Sequence, residues 1–342
     1  MFKGFMDHVP KDVTLHEHAS VMVNMMQPYQ IDTFYKNQWR ACFTMWESTQ
    51  LNQRFIDWMN VYDQIIVPCD HNVELFSRHH KNVHKVPLGV DTKIWKPKQR
   101  SANPRFRFHA GGSQWLRKGL DIVLEAFKLA DLDAELHLKP NPEAHGVPDL
   151  KLPDNVFMHR AWFTDQETID YFHQADCYIA VTRGEGFGLM PLQAISLGMP
   201  TIVSDSTGHQ EFSYLATGVV PTVKAPAKTI GQWDEPDVDT LADIMLDHYR
   251  NWSTHQAEAV VNSRGASAFT WRKATKALLD AVPVGEILPD TAVVPAVVNV
   301  EIQVKRKVSC NIANIQYHFV PGDTYWVSED VQRVLNDAGY LV

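Results

Sequence analysis

The stretch TRGEGFGLMPLQAISLGMPTIVSD, residues 182–205, decides the fold of this chain. A strand-like run ends at Thr182, a glycine-rich turn follows at 184–188, and a helical run with Pro191 in its first turn ends at Gly198. Such a turn presents free backbone amides at a helix N-terminus, which favours a phosphate or another anionic group. A tight connection that only joins a strand to a helix is an equally good reading of the turn by itself.

Two side chains of this stretch suggest what the anionic ligand carries. Glu185 lies in the turn, where a carboxylate repels phosphate and pairs better with hydroxyl donors such as those of a sugar. Gln193 lies eight residues later, where its amide can accept a hydrogen bond from one ribose hydroxyl and donate to another. Both residues are therefore candidates for recognising hydroxyl groups.

A second strand-to-helix junction lies at residues 111–119, GGSQWLRKG, and begins with Gly111 and Gly112. Arg117 and Lys118 are adjacent here, and like charges repel each other and oppose the helix dipole unless an anion lies between them. Two solvated surface cations are the alternative. Ligands of open α/β sheets bind at the carboxyl ends of the strands, so two such junctions in one sheet favour an anion site.

Strand-like and helical runs alternate through residues 98–281, which predicts a parallel sheet with helices on both faces. The run GVVPTV at 218–223 is one of the predicted strands. Residues 1–97 repeat the alternation less completely and predict a smaller α/β domain. A Pro- and Val-rich linker at 282–298 then leads to a short antiparallel β module closed by one helix at 299–342.

Length and composition agree with this division, because 342 residues with 45% apolar and 21% charged side chains suit two domains with an appendage. Lys and Arg total 32 against 40 Asp and Glu, which disfavours a globally basic nucleic-acid binder. Residues 1–97 are balanced at ten of each sign and residues 299–342 hold four against five, so a surplus of minus seven falls between them. A single diphosphate still needs only a few focused groups.

Targeting and redox signals are absent from the sequence as given. It has no run of eighteen apolar residues and no signal or transit peptide, so we expect a cytoplasmic protein. Four widely spaced cysteines lie in or beside apolar runs, which predicts buried thiols rather than disulfides or a zinc site: Cys42, Cys69, Cys177 and Cys310.

Three motifs occur in a characteristic order: RKGLDIVLEAF at 117–127, the stretch 170–205 that contains the glycine-rich turn, and WDEPDVDTLADIMLDHYRN at 233–251 followed by FTW. With this order and spacing, residues 105–280 resemble the donor-binding domain of the retaining, two-Rossmann-domain glycosyltransferases of family 4. Residues 40–97 resemble the end of that family's N-terminal domain, in TMWES and VHKVPLGVDTKIWKP. The resemblance implies the GT-B fold, an α/β protein with two Rossmann-like domains facing a cleft.

The resemblance also implies a donor site for a nucleoside diphosphate sugar, used as a co-substrate without a cofactor. Arg117 and Lys118 match the family's cationic pair for the diphosphate, and Glu185 matches the first Glu of its E-x7-E motif. The second Glu of the motif is replaced by Gln193, which bears on nucleotide preference more than on activity. The backbone amides that meet the sugar phosphate match those of Gly186, Phe187, Gly188 and Leu189.

The N-terminal domain departs from the family, because it is about half as long and lacks a glycine-rich acceptor loop. Glu47 follows the strand-like RACFTMW where the family has a His, so it is a candidate for orienting or deprotonating the acceptor. Capping of the next helix is the alternative for Glu47. His16 ends the predicted strand DVTLH at 12–16 and is a second acceptor-side candidate, with a solvated role as its alternative.

Two charged patterns are assigned to structure. Asp237 and Asp239 form a D-x-D pair, but they follow Pro236 and open a helix, so we predict capping rather than metal binding. The run Lys305, Arg306 and Lys307 is predicted to be a solvated strand edge rather than a nucleic-acid patch. We therefore expect no metal in the reaction.

The function predicted from these features is retaining transfer of a hexosyl or pentosyl group to an acceptor hydroxyl. The acceptor is left open between a glycan or protein and a hydroxymethylated DNA base, because residues 299–342 weakly resemble small β modules of phage-encoded proteins. A phage protein would act in the host cytoplasm. A catalytically inactive sugar-nucleotide or glycan binding protein is the alternative. The N-terminal domain has no obvious basic amphipathic helix, which argues against membrane insertion. The oligomeric state is left open.

Overall fold

The computed structural model describes residues 2–13, 15, 19–25, 27–30, 33–35, 38–98, 102–142, 147, 151–283, 285, 293–295, 299–303, 305, 307–312, 315–319, 321 and 324–342. His16 and Arg306 lie outside the described residues, as does most of the predicted linker. Within these ranges, no helix combines the length and the apolar character that crossing a membrane requires.

The N-terminal domain is built on a parallel sheet of four strands in the order β1, β3, β4, β5. Its elements are α1 (Phe2–Met6), β1 (Val21–Asn24), β2 (Thr33–Tyr35), β3 (Trp39–Phe43), α2 (Gln53–Met59), β4 (Gln64–Val67), α3 (Asp70–Ser77) and β5 (Val83–Lys85).

The predicted strand DVTLH is wrong for the residues of it that the structure describes. Asp12 lies in a turn, which Val13 closes by donating from its amide to the carbonyl of Pro10 at 3.1 Å. Leu15 is 57% exposed and lies outside the strands of the sheet. An apolar run that buries no face has nothing to hold it in a sheet.

The second domain contains a fully parallel sheet of six strands in the order β11, β10, β9, β6, β7, β8. This is the doubly wound order of a Rossmann fold, with its topological switch point between β6 and β9. The elements of the domain are β6 (Phe106–Gly112), α4 (Leu120–Ala130), β7 (Ala134–Pro140), β8 (Val156–Met158), α5 (Asp165–His173), β9 (Cys177–Ala180), α6 (Leu189–Ser196), β10 (Thr201–Ser204), β11 (Gly218–Val220), β12 (Thr222–Pro226), β13 (Gln232–Pro236), α7 (Val238–Arg250), α8 (Trp252–Asn262) and α9 (Trp271–Ala281).

The predicted strand GVVPTV is two strands that belong to different sheets. β11 pairs with β10 in the large parallel sheet, whereas β12 forms an antiparallel hairpin with β13. Pro221 lies between them, and proline has no N–H to continue a ladder of hydrogen bonds. The chain therefore leaves the large sheet at this residue.

The C-terminal residues form antiparallel pairs, as their alternating pattern predicts. β15 (Asn299–Gln303) pairs with β18 (Thr324–Ser328), and β16 (Val308–Ile312) pairs with β17 (Ile315–Phe319). The stretch predicted as a linker differs from expectation, because it contains a strand, β14 (Val293–Pro295), that pairs with β2. One helix, α10 (Glu329–Asp337), follows the last strand.

Helix α9 belongs by sequence to the second domain but packs against the first. Its Thr275 hydroxyl donates to the carbonyl of Phe5 at 3.2 Å, and Gln64 in β4 donates to the carbonyl of Ala281 at 2.9 Å. The rings of Phe5 and Trp271 meet edge to face with centroids 5.3 Å apart. The two domains therefore share one hydrophobic core.

The tightest part of this contact lies at Gly89, where a Cβ would be 2.2 Å from the carbonyl carbon of Thr270. We expect Gly89→Ala to lower the free energy of unfolding by about 1–3 kcal/mol, because two backbones must separate to admit the methyl group. Urea denaturation measures the effect. Gly285→Ala is the control, since its nearest neighbour would be the Val21 side chain at 3.4 Å. Equal stability of the two variants would show that this approach is not tight in solution.

Candidate functional site

A cavity of about 290 Å³ opens at the topological switch point, between the two domains. Open α/β sheets bind ligands at this position. Six of the predicted site residues line it: Gly111, Lys118, Glu185, Phe187, Gly188 and Leu189. The other lining residues were not predicted as site residues: Met45, Leu88, Tyr178, Ala180, Thr182, Met190, Pro191 and His209.

The glycine-rich turn is held in place by the loop that follows β10. The amide of Glu185 donates to Thr207 Oγ1 at 2.8 Å, and the amide of Gly208 donates to the carbonyl of Glu185 at 3.0 Å. Gly188 caps α6 with a φ of 102°, and a Cβ there would lie 2.6 Å from the His209 ring. Glycine is therefore required at this position on both counts.

Helix α6 begins at the wall of the cavity. Its first residues, Leu189 and Met190, both line the cavity, and amides in the first turn of a helix have no acceptor within the helix. Together with the helix dipole, these amides favour an anionic group at this end of the cavity.

Lys118 and Glu185 form a half-buried ion pair at the cavity wall. Burial alone would raise the pKa of Glu185, but the positive charges of Lys118 and Arg117 lower it to about 2. Gly112 makes room for this pair, because a Cβ there would lie 2.4 Å from Lys118 Cγ. The site thus holds an ionised carboxylate and an ammonium side by side.

Arg117 is not among the residues that line the cavity. Its Nη1 donates to the carbonyl of Gly184 at 2.7 Å and lies 3.7 Å from Glu47 Oε1, while its Nε donates to Gln114 at 2.8 Å. Each of the adjacent cations thus has a carboxylate partner within the chain. The repulsion between Arg117 and Lys118 therefore does not by itself require a bound anion.

Glu47 lies on the N-terminal side of the contact between the domains. Buried Asn72 fixes the preceding residue, because it accepts from the Trp46 amide at 2.9 Å and donates to the Trp46 carbonyl at 2.8 Å. Burial raises the pKa of Glu47; Arg117 opposes the shift and Glu185 adds to it.

The capping alternative for Glu47 is wrong, since α2 has its own cap. Asn52 Oδ1 accepts from the Phe55 amide at 2.8 Å. Glu47 instead lies against the glycine-rich turn, where a Cβ on Gly184 would be 1.9 Å from the Glu47 carbonyl oxygen. Gly186 likewise lies against the Met45 side chain. The glycines of the turn therefore allow the two domains to approach.

His209 is not predicted from the sequence, whereas Gln193 is predicted to lie in the donor site. His209 is buried at the cavity, and burial lowers its pKa to about 4 against the opposing charge of Glu185. It is therefore an uncharged hydrogen-bonding group at neutral pH. The available signal for it was its place in the loop that follows β10, at the carboxyl edge of the same sheet. Gln193 is half-buried on α6 and is not among the residues that line the cavity.

The D-x-D pair has the predicted capping role. Asp237 is the N-cap of α7 and accepts from the Thr240 amide at 2.7 Å. Hydrogen bonds with the Thr240 side chain and amide lower the pKa of Asp237. Asp239 lies in the first turn of that helix. Three of the cysteines are buried and form no disulfide, as predicted: Cys42, Cys69 and Cys177. The side chain of Cys310 lies outside the described residues.

One group in the described part of the chain has the donor atoms for a metal ion, namely Asp247, His248 and His255. Both ring nitrogens of His248 are already hydrogen-bonded, to Thr217 Oγ1 and to the Ile244 carbonyl, each at 2.9 Å. The two imidazole rings stack in parallel with centroids 3.8 Å apart. Their lone pairs therefore do not converge on one point, and the group joins α7 to α8.

Comparison with known proteins finds sequence similarity mainly in the second domain. Residues 105–232 match the sequence profile of the family glycosyl transferases group 1. The chain is 25% identical to mannosylfructose-phosphate synthase of Agrobacterium fabrum, over 40% of this chain and 36% of that protein. It is also 25% identical to D-inositol 3-phosphate glycosyltransferase of Paenarthrobacter aurescens, over 60% of this chain and 53% of that protein. The chain thus matches about half the length of these relatives or less.

Similarity to solved structures extends over both domains. The structure of Anabaena HepE in complex with UDP and glucose aligns with a TM-score of 0.57 at 13% identity, over 71% of each chain. At this identity the likeness establishes the fold. The protein therefore has the GT-B arrangement of two Rossmann-like domains that its sequence predicts.

The charge of Glu185 should appear in the pH dependence of stability. Its folded-state pKa is depressed, so its contribution is present above the unfolded pKa and is lost as pH falls from about 4.5 to about 2. At pH 7 we expect the free energy of unfolding of wild type to exceed that of Glu185→Gln by on the order of 3 kcal/mol. This difference should disappear as the pH falls from about 4.5 to about 2. Thermal unfolding of both proteins from pH 7 to pH 2 measures it. A gap that is constant with pH would contradict the ion pair.

Proposed function

We propose that this protein is a retaining glycosyltransferase that transfers a sugar from a nucleoside diphosphate sugar to an acceptor hydroxyl. The observation that carries the proposal is the cavity at the switch point, where Lys118, ionised Glu185 and the N-terminus of α6 meet. The match of residues 105–232 to group 1 glycosyl transferases supports it. The structural likeness to HepE, which was solved with UDP and glucose, agrees with a donor of this class.

Each group in the cavity has a chemical task in this reaction. The diphosphate lies at the α6 amides and Lys118, which neutralise the negative charge that develops on the departing phosphate. Glu185 accepts hydrogen bonds from the donor sugar. Fixed cations and a helix terminus replace a metal ion, so the reaction proceeds without one.

Glu47 serves the acceptor from the other side of the cleft. Its pKa is raised by burial, and a carboxylate whose pKa is nearer neutrality is a better general base. It orients the acceptor hydroxyl and takes its proton as the glycosidic bond forms and the bond to the diphosphate breaks. The contacts at Gly184 and Gly186 close the cleft against water, which otherwise hydrolyses the donor.

A second cavity between the domains bears on the acceptor class. It has a volume of about 430 Å³ and is polar, with one lysine and one histidine beside four carboxylates: Asp70, Glu74, Asp205 and Asp234. Such a lining favours a neutral, hydroxyl-rich acceptor such as a glycan over a phosphate-rich one such as hydroxymethylated DNA.

We expect Lys118→Met to weaken nucleoside diphosphate binding by about 10- to 100-fold, because a charge-assisted contact to phosphate is lost. Calorimetric titration with UDP, GDP, ADP and dTDP in excess EDTA identifies the nucleotide and measures the loss. Lys128→Met, which removes an exposed lysine on α4, is the matched control. Binding by wild type only when magnesium or manganese is added would contradict the metal-free site.

The acceptor role predicts a different result for Glu47→Gln. Turnover should fall by about 100-fold or more, because the general base is lost, while nucleoside diphosphate affinity stays within about threefold of wild type. Transfer from the best donor to a panel of glycans and hydroxymethylcytosine DNA measures turnover. Unchanged turnover would remove Glu47 from the mechanism. Tight donor binding by wild type, without any transfer or hydrolysis, would favour the inactive sugar-nucleotide binding protein.

A further inference from the structure

Lys139 is a buried cation that the site described so far does not use. It is the penultimate residue of β7 and 8% exposed. Among the described residues, no carboxylate lies within ion-pair distance of its ammonium. The partner of Nζ is the face of Phe163, with the ring centroid 4.4 Å away. A buried ammonium held only by an aromatic ring has lost hydration without gaining an anion.

A second buried cation shows how the fold normally treats such a charge. Arg183 is also 8% exposed, and its guanidinium is bidentate to Asp121 at 2.8 Å and to Glu235 at 2.5 and 2.7 Å. Two carboxylates thus offset the desolvation of Arg183. Lys139 has the same exposure, and no carboxylate in the described part of the chain neutralises its charge.

The position of Lys139 points to the donor cavity. It pairs in register with Gly111 on the neighbouring strand, at the carboxyl edge where the cavity opens. A Cβ on Gly111 would lie 3.5 Å from Lys139 Cβ and 3.6 Å from Met190 Cε. Gly111 and Met190 both line the cavity, whereas Lys139 is not itself a lining residue. The Lys139 side chain therefore leaves the sheet directly behind two residues of the cavity wall.

We propose that Lys139 is a further donor-binding residue, whose ammonium binds a phosphate oxygen of the nucleoside diphosphate. This inference rests on the proposed function. It adds a second cation, on β7, to Lys118, which lies between β6 and α4. Lys118 shares its charge with Glu185, whereas the charge of Lys139 is unshared. Lys139 therefore supplies much of the positive charge that the diphosphate meets, and burial lowers the pKa of Lys139 until that anion arrives.

The test compares full-length wild type with Lys139→Met, a near-isosteric change that removes the charge. Without ligand, the melting temperature of Lys139→Met should equal or exceed that of wild type, because a desolvated ammonium has been removed. Its affinity for the nucleoside diphosphate that wild type binds, among UDP, GDP, ADP and dTDP, should fall at least tenfold. Its affinity for the matching nucleoside should not change.

Matched variants keep the outcomes distinct. Lys128→Met, which neutralises an exposed lysine, should bind like wild type. Lys139→Gln repeats the test if the methionine variant does not fold. Undiminished diphosphate affinity in a folded Lys139 variant overturns this assignment and leaves the proposed function standing. Lower melting temperatures in both Lys139 variants, with normal affinity, would make the residue structural. Wild type that binds none of the four diphosphates overturns the proposed function itself.

Discussion

The guanidinium of Arg183 holds together the loops from which the site is built. This guanidinium joins Asp121 at the start of α4 to Glu235 in β13. The backbone amide of Arg183 donates to the Arg117 carbonyl at 2.8 Å. A buried charge with fully paired, bidentate geometry is costly to break, since any lost partner leaves an uncompensated ion. The glycine-rich turn begins at the next residue, Gly184, so the start of the turn is fixed in position.

The constraint on the site itself is that two of its cations, Lys118 and Arg117, are paired with carboxylates before any ligand arrives. Lys118 is paired with Glu185, and Arg117 is shared between Gly184 and Glu47. A diphosphate must compete with the carboxylate for Lys118, and sugar hydroxyls can then satisfy the carboxylate. Such an exchange favours a ligand that carries both phosphate and sugar over phosphate by itself.

Much of this was predictable from the sequence, and the failures have physical causes. The glycine-rich turn, the Gly112–Lys118 junction and the Asp237 cap follow local rules of turns and helix ends, and those rules identified them. Contacts between residues far apart in sequence decide the partners of the Arg117 side chain, Gly184 and Glu47. Such contacts also decide the packing of α9 on the first domain. The sequence predicts only that Lys139 ends a strand. Its burial beside an aromatic ring, with no carboxylate partner among the described residues, is visible only in the structure.

Amide hydrogen exchange of the full chain, with and without UDP, GDP, ADP and dTDP, tests the central claim most directly. A nucleoside diphosphate at the switch point should slow exchange at residues 111–119 and 185–193, because it covers the two strand-to-helix junctions together. Protection confined to α3 and residues 205–210, around the acidic cavity, would contradict the account, as would no protection by any of the four nucleotides.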